Sequence, residues 1–274
     1  KHSENSATDK FVMPYKLTVA RDPNRDLWVF GGTADISGRN RGEDRADTRE
    51  ESESSIFNRS QWLFGFKNDR SASAGTLLLR EVSSVGQLNA DVSADQIDIS
   101  TKRGWTIALK PANSSFAREY LSASLLFLND EIFATTFLPD LVPEEDKEDK
   151  ENCTTPNVKG KTHIYRLDAR SGKSNWPDSC ATKYLVLDGI KVAGLSVLST
   201  AEGSRLLISI SILDEDRFNK STVNGKLKDG KGNIVSGVTV SRHSDTMISL
   251  AIDDKTNRSI RGEKLNYWRE VYTR

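Results

Sequence analysis

Apolar and polar positions alternate along much of the chain with the two-residue period of a β-strand. Ile208-Ser209-Ile210-Ser211-Ile212 is strict alternation, which predicts one buried face and one facing water or another sheet. Similar strand-length runs occur at residues 15–19, 27–30, 61–67, 76–82, 104–109, 125–136, 162–168, 192–198, 238–242, 246–252 and 267–272. Turn signals separate them. Asn129-Asp130 tolerates the positive φ of a two-residue hairpin, and Asp188-Gly189, residues 200–204 and residues 243–245 mark further reversals. Residues 86–100 fit either a strand pair or an irregular connection, and no stretch shows the 3.6-residue period of an amphipathic helix. The expectation is an all-β chain with almost no helix outside its charged loops.

The spacing of the strands suggests repeats. The strand at 104–109, the hairpin at 125–136 and the strand at 162–168 predict one four-stranded sheet of propeller-blade size. Trp62 follows Trp28 by 34 residues and Tyr165 follows Phe133 by 32. A seven-bladed ring at about 40 to 45 residues per blade needs roughly 300 residues. The 274 residues therefore predict a single β-propeller-like domain over 1–274, built from blades of antiparallel strands. It would contain roughly four to six blade-like sheets and could be the C-terminal part of a larger ring.

Composition narrows the partners. Basic and acidic residues balance at 39 each, so no overall field draws the chain to nucleic acid or an anionic membrane. No apolar run approaches the ~18 residues of a membrane span. Residues 1–10 read as a polar leader. Two charged insertions stand out. Residues 39–55 set Arg39, Arg41, Arg45 and Arg49 among six acids, and residues 140–151 carry Glu144, Glu145, Asp146, Glu148 and Asp149. Both are candidate partner-binding loops as well as candidate solvated excursions. The acidic one lacks the alternate oxygen ligands and central glycine of a calcium loop. Cys153 and Cys180 flank the strand at 162–168 and could close a disulfide over it; the alternative is two separate thiols.

Chemistry-bearing motifs are sparse. His2, His163 and His243 fall in no metal-binding spacing, and His163 in its alternating strand is expected as an outward or packed side chain. There is no nucleophile elbow, because Gly194-Leu195-Ser196-Val197-Leu198 lacks the second glycine, and no phosphate-cradling loop is present. Arg41-Gly42-Glu43 is one methylene away from Arg-Gly-Asp.

Several short motifs occur in a recognisable order. Gly104-Trp105 is followed by a hairpin ending Phe133-x-Thr135-Thr136-x-x-Pro139-Asp140, then by Cys153, then by Tyr165-x-Leu167-Asp168-x-x-x-Gly172. Trp28-Val29-Phe30-Gly31-Gly32-Thr33, Gln61-Trp62-Leu63-Phe64-Gly65-Phe66 and Tyr267-Trp268-Arg269-Glu270 flank this set. Together they resemble the C-terminal β-propeller of the type IV pilus tip-associated adhesins, the PilY/PilC type, over roughly residues 27–270. The resemblance implies a non-enzymatic, exported protein at the pilus tip or outer membrane. It would contact minor pilins or pilus subunits and a host or abiotic surface, supporting pilus assembly, attachment and twitching motility. The family's calcium loop is not found. The nearest stretches, Asp214-Glu215-Asp216 with Asn219 and Asp253-Asp254 with Asn257, lack its glycine and third spaced acid, so no cofactor is expected. Gly31-Gly32-Thr33-Ala34 also departs from the family's Gly-Thr-Gly-Arg strand end. Two other readings stay open: a general protein- or carbohydrate-binding extracellular propeller, and a quinoprotein-like dehydrogenase, which would want adjacent cysteines and a calcium ion.

Overall fold

The computed structural model describes residues 13–22, 24–34, 61–68, 79–82, 104–109, 119–140, 159–200, 203–222 and 224–252. The strand expected at 267–272 and the stretch 86–100, which fits either a strand pair or an irregular connection, lie outside them. Among the described residues the protein is all-β and propeller-like in its construction from antiparallel strand pairs. Five strands form the first sheet: β1 (Thr18–Arg21), β2 (Leu27–Gly32), β3 (Trp62–Lys67), β4 (Leu79–Val82) and β5 (Gly104–Ala108). Their order is β1-β2-β3-β5-β4, antiparallel except for the parallel β4–β5 pair.

The second sheet contains β6 (Tyr120–Leu121), β7 (Leu126–Leu128), β8 (Glu131–Pro139), β9 (Gly160–Asp168), β10 (Tyr184–Asp188), β11 (Ile190–Thr200), β12 (Gly203–Ile212), β13 (Lys226–Asp229), β14 (Ile234–Ser244) and β15 (Met247–Ile252). It runs β11-β12-β15-β14-β13-β10-β9-β8-β6, with β7 on β8. Two groupings differ from the sequence reading. The strand at 104–109 joins β3 and β4 rather than the hairpin that follows it, and the second sheet continues well past four strands. Strand spacing carries no information about which neighbour a strand selects; burial on both faces does.

Strand β8 shows why. Ile132 to Pro139 are all buried, the signature of a strand covered on both sides. Ile132, Ala134 and Phe137 belong to a core shared with Trp28, Phe30, Leu63, Trp105 and Ile107 of the first sheet. Phe133 faces a second core with Ile164, Leu185, Leu187, Ile208 and Ile248. Strand β12 instead has one dry face, with Leu206, Ile208 and Ile210 buried and Ser209 and Ser211 exposed, as the alternation predicts. The Asn129-Asp130 turn is present, with φ of 51° and 62°. The last hairpin turns at Asp245-Thr246, one residue later than expected, because an irregularity between Arg242 and Ser244 shifts the register.

A helix, α1 (Glu215–Ser221), forms outside the charged loops, in a stretch with no helical period in its sequence. Its apolar signal is a single buried Phe218, too little for a periodicity. The start is nevertheless written out: Asp214 caps it by accepting from the Arg217 backbone N–H at 3.1 Å, and Glu215 and Asp216 fill the first turn, where acids favour the helix dipole. Of the two stretches considered for calcium, Asp214-Glu215-Asp216 therefore begins a helix, and Asp253-Asp254 lies outside the described residues.

Two of the resemblance motifs, Gly104-Trp105 and Tyr165-x-Leu167-Asp168-x-x-x-Gly172, meet between the sheets. Trp105 of β5 is fully buried and donates its Nε1–H to Ala169 O at 2.9 Å. Gly172 lies against the indole with φ of +66°, and a Cβ there would stand 2.6 Å from the ring. Asp168 shapes that turn by accepting from the Ser171 N–H at 2.8 Å and its hydroxyl at 2.7 Å.

Candidate functional site

Register on β9 and β10 places alternate side chains on one face. Lys161 pairs across from Asp188, His163 from Val186, and Tyr165 from Tyr184. Strand β13 adds Lys228 beside Val186, and α1 closes the open side. A concavity of about 350 Å³ results, lined by Lys161, His163, Tyr184, Val186, Arg217 and Lys228 among others. Most of the residues around it carry polar or charged side chains.

Beneath it lies a buried hydrogen-bonded network. Glu119, immediately before β6, is inaccessible to solvent, and its Oε1 accepts from the Thr136 hydroxyl and from the Tyr165 hydroxyl at 3.1 Å. The same oxygen lies 2.9 Å from His163 Nδ1. The imidazole stacks on Tyr184 with centroids 4.1 Å apart. Glu119 thus fixes the ring's orientation and favours the proton on Nδ1, leaving Nε2 as the nitrogen without a partner among the described residues. Burial pushes the Tyr165 phenol well above its ordinary range, and the Glu119 charge adds to the effect, so it acts as a donor only. His163 is packed, as expected for its strand, but around a carboxylate that the sequence did not single out.

The rim is electrostatically tied. Arg217 of α1 pairs with Asp140 at the end of β8 and, at 2.6 Å, with Asp188 at the end of β10. Burial alone would lower the guanidinium pKa, but hydrogen bonds to these two carboxylates outweigh it and raise it. Lys159 pairs with Asp214 at 3.1 Å. Asp229 organises the β13–β14 turn by accepting from the N–H groups of Ala181, Lys231 and Asn233, each at 2.9 Å. Ser221, also in the wall, donates its hydroxyl to Phe218 O at 2.8 Å.

Arg39, Arg41, Arg45, Arg49, Glu144, Glu145, Asp146, Glu148, Asp149 and Cys153 lie outside the described residues. Cys180 carries a buried free thiol that donates to Thr182 O at 2.9 Å. No disulfide is seen at Cys180, and its expected partner Cys153 lies outside the described residues. Burial raises its pKa. No grouping of three or more His, Cys, Asp or Glu side chains suited to a metal occurs among the described residues. Nor is any described helix long and apolar enough to cross a membrane. Comparisons with protein-family models, curated proteins and solved structures give no match.

Proposed function

We propose that the chain is a non-enzymatic binding module of a type IV pilus-associated surface protein, supporting pilus assembly and attachment. The observation that carries this reading is the seat of Trp105 on Gly172, with its indole N–H on Ala169 O. It joins the Gly-Trp and Tyr-x-Leu-Asp-x-x-x-Gly portions of the resemblance in one packed unit, so their order along the chain has a structural cause. The pocket favours binding over turnover. Its one serine is engaged by its own helix, and among the described residues no hydroxyl or thiol is hydrogen-bonded to His163.

The test is done in the producing bacterium. Pili sheared from the surface should carry the protein on immunoblots, and deletion of its gene should reduce surface piliation and attachment several-fold. Retention of the protein inside the cells, with piliation and attachment unchanged in the deletion strain, would overturn the proposal. The pocket itself favours a second reading, an extracellular ligand-binding protein unconnected with pili; that reading predicts a secreted protein whose deletion leaves piliation unchanged.

A further inference from the structure

We propose that the concavity between α1 and the β9–β10–β13 face binds an acidic sugar residue through its carboxylate. The inference rests on the binding-module reading but not on the pilus context.

The wall's own carboxylates are already engaged. Asp188 Oδ1 takes Arg217 and the Gly189 N–H at 2.9 Å, and Asp229 takes three backbone N–H groups. Lys220 and Lys228 bring two ammonium groups that neither acid takes; Lys228 Nζ makes only a long 3.4 Å contact with Lys220 O. Behind them His163 is held in place by Glu119. An anion entering this space meets lysine charge at the rim, while the imidazole Nε2 at the floor is an acceptor for a sugar hydroxyl.

Size and topology select a sugar over a peptide. About 350 Å³ is at the small end of ligand pockets, which run from about 300 to 1,000 Å³, and suits one pyranose ring. Extended peptides bind by adding a strand to a free sheet edge. Strands β9, β10 and β13 each have a paired strand on both sides, so this face offers side chains and no backbone ladder. Gly232, with φ of +86° and no atom within 4 Å of a built Cβ, leaves the mouth open where a glycan chain would continue.

The experiment titrates the purified full chain with D-galacturonate, galactose and triglutamate, read by calorimetry and by the amide NMR shifts of Gly230 and Gly232. Galacturonate should bind at least tenfold tighter than galactose or triglutamate, shift both glycine amides, and weaken as salt rises. The Lys220→Ala/Lys228→Ala variant should lose at least tenfold in affinity, whereas Lys173→Ala should match the parent protein. Lys228→Gln, keeping the side chain's length without its charge, should also weaken binding. Equal binding of galacturonate and galactose, preference for triglutamate, or unchanged affinity in both charge-removing variants would overturn the proposal. Such a failure alongside pilus-associated protein and a deletion defect in attachment would remove the ligand class alone; failure of both assays would remove the binding-module reading as well.

Discussion

Glu119 Oε1 and His163 Nδ1 lie 2.9 Å apart with side-chain exposures of 0% and 2%. The pair joins the segment before β6 to β9, two strands away across β8, and one oxygen also receives Thr136 and Tyr165. Removing the carboxylate leaves the Thr136, Tyr165 and His163 donors without their acceptor, at a cost of about 1–3 kcal/mol for each buried group stranded. Glu119→Ala should therefore lose stability of that order in urea unfolding. A loss below about 1 kcal/mol, the size of an exposed pair, would show that the network is solvated.

Gly172 should not tolerate a side chain. Its positive φ costs a β-carbon about 1–2 kcal/mol, and the indole 2.6 Å away adds an overpacking penalty of about 1–3 kcal/mol. Gly172→Ala is expected to destabilise by about 3 kcal/mol, followed by tryptophan fluorescence during denaturation. Wild-type stability would mean that the turn reorients without disturbing Trp105.

Asp229 predicts an acid dependence. Burial alone would raise its pKa, but donors from Asn233, Ala181 and Lys231 outweigh it, so the folded value is depressed. Its contribution is thus fully present above the unfolded pKa, about 3.9, and is lost as pH falls through the lower folded value. Asp229→Asn should cost about 1–3 kcal/mol at pH 7, and its urea midpoint should approach the wild type's below about pH 3. A gap that stays constant from pH 7 to pH 2 would show that the carboxylate's charge plays no part in the turn.

Cys180 should resist alkylation in the native state, because it is buried and its thiol pKa is raised. In urea without reductant it should label fully within minutes. Labelling only after reductant is added would reveal a bridge in solution.

What the sequence disclosed and what it withheld follow from the range of the interactions involved. Asn129-Asp130 and the alternation of β12 were legible because each is set by residues adjacent in the chain. Helix α1 was not: its only buried apolar residue is Phe218, and the cap at Asp214 looks like any acidic run. The site was harder still. Glu119 reaches His163 over 44 residues, and its neighbours Arg118 and Tyr120 give no hint of a buried acid. Lys228 meets Val186 only through the β10–β13 pairing. His163 could be placed on a packed strand, but its partner became visible only with β8 between them.

The bases of β8 and β9 are clasped where they leave the sheet. Asp140 N–H donates to Lys159 O at 2.9 Å, Arg217 holds Asp140, and Asp214 holds Lys159. What joins Asp140 to Lys159 therefore starts and finishes at one fixed point, and each doubling of its length adds only about 0.6 kcal/mol of closure entropy. The connection can therefore be lengthened or exchanged with little cost to the sheet, and an epitope or a small foreign domain could be grafted there.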